Sequence, residues 1–288
     1  MGEHNALLKL HESYKERGLF GTTRKIFDRL MDDLYRRTTW RKNLRSLQSK
    51  FGNAPRAEIF SYIYDKRIWL SRESISGYGS TLDATENTRA NIKSILKDFS
   101  IKSIYDAPCG DFNWMRLCVA DTDVSYTGAD IVPELIRHNR ERYQSKTVQF
   151  VVRDIVVDPF PSVDLWLCRD CFIHLSFEDI LRSLELFCST DSRYLLVDSY
   201  INNGEFENLD IKTGHYRMVD LFSDPFNFPK SAIFRFPEYS ELERSKEMVL
   251  FTRQDVSAVL PAMRERIKRG GFAMAPVAHL GEAPDSPH

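Results

Sequence analysis

The chain has 288 residues, enough for one large α/β domain with a smaller appendage. Its formal net charge of −1, with 42% hydrophobic and 28% charged residues, exerts no overall pull toward nucleic acid or a membrane surface. No apolar run is long enough to span a bilayer, Met1 to Asn5 leads into no signal-peptide core, and the five cysteines are odd in number and lie in apolar segments, so the expectation is a soluble cytoplasmic protein with reduced thiols.

Residues 1–52 read as a helical N-terminal appendage: Leu7, Leu10 and Tyr14, then Ile26, Leu30 and Leu34, then Trp40, Leu44, Leu47 and Phe51 recur at helical spacing. Arg36, Arg37, Arg41, Lys42, Arg45 and Lys50 make a basic stretch free of acids. It suits peripheral contact with anionic lipid, a phosphorylated acceptor or RNA; the alternative is the solvated face of a helix that packs elsewhere or joins a homodimer. Gly52-Asn53-Ala54-Pro55 breaks the pattern and opens the main domain, residues 53–288. A second helical patch, residues 57–70, carries Ile59, Phe60, Ile63, Tyr64, Ile68 and Trp69 as a packing face or lid. Ser76-Gly77-Tyr78-Gly79-Ser80 follows as a flexible polar loop, and Asp83-Ala84-Thr85-Glu86 has capping-box spacing for a helix through Asp98.

Ser103-Ile104-Tyr105-Asp106 is an apolar strand closing on an acid, followed by a tight loop and an aromatic-rich helix start at Phe112-Asn113-Trp114-Met115. Strands ending at Asp130 and Asp154 repeat that form at intervals of 24 residues, a βαβ rhythm that argues for one ligand across three strand tips. A dinucleotide would demand several glycines near its pyrophosphate, whereas this loop has Pro108 and Phe112 and only Gly110. S-adenosylmethionine (SAM) carries no phosphate; its ribose diol suits Asp130 and its adenine amino group suits Asp154. The 76–80 loop is able to close over its amino-acid end, with Arg89 facing the carboxylate.

A fourth strand runs from Val163 to Cys168 with Arg169 and Asp170 at its tip and His174 just beyond. Cys168, Cys171 and His174 lack a fourth zinc ligand, so no metal site is expected. A fifth strand covers Ser192 to Asp198, and residues 202–236 form a long polar insert with His215, Tyr216 and Arg217. Phe234 to Phe236 and Met248 to Thr252 read as two antiparallel strands, and residues 254–268 as a last helix before the tail.

Residues 75–260 resemble the class I (Rossmann-like) SAM-dependent methyltransferases. Asp106-Ala107-Pro108-Cys109-Gly110-Asp111-Phe112 stands at that family's acid and glycine-rich run, Gly128-Ala129-Asp130 at its ribose-binding acid, and Arg153-Asp154-Ile155 at its adenine-flanking acid. Ser76 to Ser80, Asp106 to Met115 and Leu167 to Ser176 together resemble a bacterial subgroup tied to sugar and surface-polysaccharide pathways. The resemblance implies an α/β fold: a seven-stranded, mostly parallel sheet with helices on both faces. It implies SAM contacts from Ser80, Arg89, Asp106, Ala107, Cys109, Gly110, Phe112, Trp114, Asp130, Ile131, Asp154, Ile155 and Arg169, with an aromatic face at Phe112 or Trp114 toward the sulfonium. It also implies acceptor contacts from Tyr78, His215, Tyr216 and Arg217, and catalysis by His174 and Asp170. A hydroxyl acceptor needs a base; His174 is favoured because imidazole titrates near neutrality, with Asp170 orienting it or taking the proton itself. No Asn/Asp-Pro-Pro-Tyr/Phe run occurs at the fourth strand tip, which disfavours adenine methylation in nucleic acid. The expected reaction is methyl transfer to a hydroxyl of a small polar molecule or a glycan or sugar precursor. The alternatives are an RNA methyltransferase using the basic stretch, and a non-catalytic SAM-binding partner module.

Overall fold

A computed structural model describes residues 54–69, 71–240 and 244–275. The helices expected within residues 1–52, the basic stretch among them and the tail beyond residue 275 lie outside the described residues. Among those described, no helix is long and apolar enough to cross a membrane.

Seven strands form one sheet: β1 (Ser103–Asp106), β2 (Ser125–Asp130), β3 (Val148–Val152), β4 (Leu165–Cys168), β5 (Tyr194–Tyr200), β6 (Phe234–Glu238) and β7 (Lys246–Thr252), in the order β3-β2-β1-β4-β5-β7-β6. β7 runs antiparallel to both β5 and β6, and all other pairings are parallel, which is the Rossmann-like sheet expected. β4 is buried at every residue, as a central parallel strand covered on both faces must be.

The helices are α1 (Arg56–Asp65), α2 (Glu86–Asp98), α3 (Arg116–Val119), α4 (Pro133–Tyr143), α5 (Phe177–Cys188) and α6 (Arg253–Arg269). Two cores result. One packs Ile92 and Ile95 of α2, Cys118 of α3 and Ile136 of α4 against the sheet; the other packs Phe177, Ile180 and Leu184 of α5 with Val256, Leu260 and Met263 of α6. The 3.6-residue period of α5 aligns those side chains on one face, and Ser176 caps the helix by accepting from the Asp179 N–H at 3.2 Å. Two helix starts differ from expectation. The Asp83–Glu86 box does not form: Thr85 caps α2 without a side-chain bond, while the Asp83 carboxylate accepts from the Tyr78 hydroxyl at 3.3 Å. A reciprocal box closes instead at the start of α6, between Thr252 and Asp255.

The connection between β5 and β6 is not a surface insert. Val219, Leu221, Phe226 and Phe228 are buried in the α5–α6 core and Ile211 is buried as well, so hydrophobic burial holds this irregular segment down. α1 and the turn after it add a small cluster, Ile59, Ile63 and Ile68, against Trp69 and Tyr216.

Candidate active site

After β3 the chain crosses back to lay β4 on the other side of β1, so the β1/β4 tips flank the crevice where open α/β sheets bind ligands. Asp106 stands at the β1 tip, 3% exposed, accepting from the Tyr126 hydroxyl at 2.6 Å. Burial pushes its carboxyl up to about 7, against the Tyr126 hydrogen bond and the Arg169 charge. Asp130 ends β2 and accepts from the backbone N–H groups of Gly110 at 3.3 Å and Val132 at 3.1 Å. Burial pushes Asp130 up to about 6 despite those bonds.

The β1 loop reaches Asp130 because Gly110 adopts φ +54°, and a Cβ there would lie 2.4 Å from Ser76 Oγ. The polar loop before α2 is therefore laid directly on the β1 loop rather than free. Ser76 Oγ accepts from the Asp111 N–H at 3.1 Å, Asp111 accepts from the Ile75 N–H at 3.0 Å, and the Asn113 amide donates to the Ser80 carbonyl at 3.1 Å. Ala107 and Cys109 are buried and serve through backbone, the Ala107 carbonyl accepting from Trp166 Nε1 at 3.1 Å and the Cys109 N–H donating to Ala129 at 2.8 Å. Ile131 and Ile155 are half-buried beside the second and third acids.

Phe112 corrects an expectation. It packs inward, 3% exposed, among the rings of Tyr126, Tyr143 and Phe150, and is a core residue rather than a cofactor contact. Trp114 is also buried and lies 5.5 Å from the Arg169 guanidinium.

The third acid differs from the first two. Asp154 accepts from Arg56 Nε at 2.8 Å and from the Val156 N–H at 2.9 Å, so its carboxylate is already paired. Arg56 also meets Asp179 at 3.2 Å, and these residues wall an open cleft of about 490 Å³ between α1, the start of α5 and Ile211 to Thr213.

At the β4 tip five charged side chains interlock. Arg169 pairs with Asp170 at 3.0 Å and Glu238 at 2.9 Å; Lys246 pairs with Asp170 at 2.5 Å and stands 4.0 Å from Asp198. Asp198 accepts from the Asp170 N–H at 2.8 Å, fixing Asp170 at φ +53°. Burial works to raise the Asp170 carboxyl, but Arg169 and Lys246 outweigh it and hold it well below the usual carboxylate range. Asp170 is thus an ionised hydrogen-bond acceptor, and the idea that it takes a proton itself is corrected. Asp198 goes the other way, to about 6, because burial dominates over Lys246.

His174 follows on a short 3₁₀ turn, Phe172–His174. Its Nδ1 lies 2.8 Å from the His215 carbonyl, which only accepts; Nδ1 therefore carries the proton and Nε2 keeps its lone pair. Trp69 stacks on the imidazole with centroids 4.6 Å apart, and the Tyr216 ring lies 5.7 Å away. Burial pushes the imidazole down to about 4, which corrects the expected near-neutral titration.

The expected acceptor residues divide. Tyr216 borders His174, and its hydroxyl meets that of Tyr200 at 3.0 Å. His215 is half-buried and acts on His174 through its backbone. Arg217 is interior: it donates to the carbonyls of Phe172, Leu175 and Leu209 at 2.5, 2.7 and 2.9 Å, and burial pushes it down to about 9. It braces the His174 turn from behind and offers no cationic clamp to an acceptor. Tyr78 is turned to Asp83 and Tyr239, and Arg89 donates to the Leu82 carbonyl at 2.7 Å.

Asp198, Tyr200, Glu238 and Lys246 are not among the residues expected at the site, and Trp69 is expected there only as part of a packing face or lid. Asp198 carried a usable signal, since Tyr194-Leu195-Leu196-Val197-Asp198 ends an apolar strand on an acid like the other three. Lys246 did not: a lysine opening an apolar strand reads as an exposed end until the sheet shows it beside β5 and β6.

No protein-family model matches the chain, and no curated protein matches it in sequence. Solved structures do. Magnesium protoporphyrin IX methyltransferase from Synechocystis, with bound S-adenosylhomocysteine, aligns over 78% of this chain and 98% of its own, at 12% identity and TM-score 0.46. Human N-acetylserotonin methyltransferase in complex with SAM aligns over 75% and 68%, at 15% and 0.48. An N-methyltransferase from Bradyrhizobium japonicum aligns over 59% and 96%, at 9% and 0.45. At such identities and scores these likenesses carry no functional weight, and the fold stands on this chain's own strand pairing.

Proposed function

We propose that the chain is a SAM-dependent methyltransferase acting on a hydroxyl of a small polar molecule or a sugar precursor. The carrying observation is the pair of buried acids, Asp106 and Asp130, on adjacent strand tips beside the β1/β4 crevice, with no glycine-rich phosphate cradle between them. Burial raises both carboxyls, and a cationic ligand beside them would favour their ionised form. Asp130 would accept from the ribose diol and Asp106 from the ammonium of the amino-acid arm. SAM, when bound, supplies an activated methyl group.

On the acceptor side, Trp69 and Tyr216 flank His174 with half-buried aromatic surface suited to the apolar face of a sugar ring. Asp170, ionised and 31% exposed at its side chain, accepts from one hydroxyl. Nε2 of His174 is the base that would take the proton of the acceptor hydroxyl as it receives the methyl group that bound SAM would supply. The imidazolium so formed is stabilised by Asp170. Most of the rate comes from alignment, which the Trp69 stack, the His215 carbonyl and the Arg217 brace secure.

The test is calorimetry with S-adenosylhomocysteine, followed by label transfer from methyl-tritiated SAM to a panel of monosaccharides and nucleotide sugars. Binding that Asp130→Ala abolishes, together with label on a sugar, supports the reading. Absence of binding in the wild type, or label only on RNA, overturns it.

A further inference from the structure

We infer that Arg169, through its Nε–H, holds the carboxylate of the cofactor's amino-acid arm, the part the sequence assigned to Arg89. The inference rests on the methyltransferase reading and adds the anionic half of its cofactor site. Arg169 is the hub of the β4 tip: Nη1 serves Asp170 at 3.0 Å, and Nη2 serves Glu238 at 2.9 Å and the Gly79 carbonyl at 2.8 Å. With a side chain 5% exposed, its Nε–H is buried and has no acceptor among the described residues. A buried guanidinium donor without a partner is rare in folded proteins and calls for a ligand or ion.

The neighbours say which ligand. The Arg169 charge acts on the Asp106 carboxyl, whose one side-chain donor among the described residues is the Tyr126 hydroxyl, so an unpartnered donor and a buried carboxyl lie within electrostatic reach of each other at the β1/β4 crevice. An α-amino acid carries the complementary pair: its ammonium answers Asp106, and its carboxylate answers Arg169 Nε–H. The Gly79 carbonyl on Nη2 ties the 76–80 loop to this point.

The other arginines fit less well. Nε of Arg89 also lacks a partner, but Arg89 is half-exposed and fastened to the Leu82 carbonyl, with its charge felt by Cys118 on α3. Arg217 holds three carbonyls, and Arg56 holds Asp154 and Asp179.

Three probes separate the possibilities by calorimetry: S-adenosylhomocysteine, its decarboxylated analogue and 5′-methylthioadenosine, which lacks the whole arm. The wild type is expected to prefer S-adenosylhomocysteine over the decarboxylated analogue by roughly 10- to 100-fold, the range for a charge-assisted hydrogen bond. Arg169→Lys, which keeps a cation for Asp170 and Glu238 but removes Nε, should bring that ratio close to one while leaving 5′-methylthioadenosine binding unchanged; Arg89→Lys should retain the ratio. Equal binding of the first two probes by the wild type overturns the inference even if Arg169→Lys fails to fold. So does an undiminished ratio in Arg169→Lys. Failure of all three probes to bind overturns the methyltransferase reading instead.

Discussion

His174 and Asp106 are both displaced by burial, in opposite directions and with opposite consequences for pH. Burial favours the neutral form of each, so the imidazole falls to about 4 and the carboxyl rises to about 7. For His174 the unfolded chain binds more protons than the folded one between its ordinary value and about 4, and this contribution to stability is lost as pH falls through that window. For Asp106 the folded chain binds more protons from the ordinary carboxylate range up to about 7, so its contribution is lost as pH rises. Asp106→Asn should therefore stabilise the ligand-free protein at pH above 8, by on the order of 2 kcal/mol in chemical denaturation, while weakening SAM binding; a less stable variant there would sink this account. Catalysis that needs neutral His174 should be flat across the neutral range and fall only as pH approaches about 4. His174→Gln should lower kcat by roughly 100-fold or more with little change in S-adenosylhomocysteine affinity. A profile that drops near pH 6.5 would mean that His174 titrates at its ordinary value in the working protein, and parallel losses of kcat and affinity would deny it the proton-accepting role.

At the scale of elements, the β4 tip is set by strands distant in sequence. Lys246 opens β7 opposite Tyr200 of β5 and Glu238 of β6, and its 4%-exposed ammonium lies between Asp170 and Asp198. Its removal leaves the buried Asp198 carboxylate without its nearest ammonium and leaves Asp170 with Arg169 as its remaining counter-ion. Lys246→Met should cost about 3–5 kcal/mol of stability, read as a drop in Tm, and the loss should shrink in Lys246→Met/Asp198→Asn. A loss that persists in the double variant would mean that packing, and not charge, explains the effect. The join between α1 and the β5–β6 connection is equally tight: Gly214 has φ +95°, and a Cβ there would lie 2.4 Å from Ile59 Cγ2. Gly214→Ala strains the backbone and pushes Ile59 and its helix away, and with them the Trp69 platform on His174. The expected outcome is a kcat loss larger than the stability loss, checked by paired kinetics and thermal unfolding.

For the molecule as a whole, the β5–β6 connection is core in the same sense as α5. Phe226 is fully buried with its ring 5.3 Å from that of Phe177. Phe226→Ala should cost about 3–5 kcal/mol in urea unfolding; a loss below about 1 kcal/mol would return the segment to the class of surface loops. The connection joins the α5–α6 core to the site: it buries Phe226 and Phe228, braces the His174 turn through Arg217 and brings the His215 carbonyl to Nδ1. Unfolding of this segment and loss of activity should coincide.

What the chain shows without coordinates is whatever repeats locally. The apolar strands closing on Asp106, Asp130 and Asp154 at a βαβ interval reveal a mostly parallel sheet, because strand period and crossover length are properties of contiguous residues. The partners of those acids are not local. Asp154 resembles Asp130 in sequence, but Arg56, 98 residues away, pairs with it. Asp170 and Arg217 look like a base and a clamp until Lys246 and three inward carbonyls take them up. Burial and long-range pairing decide protonation and availability, and both exist only once the sheet has brought residues far apart in the chain to one edge.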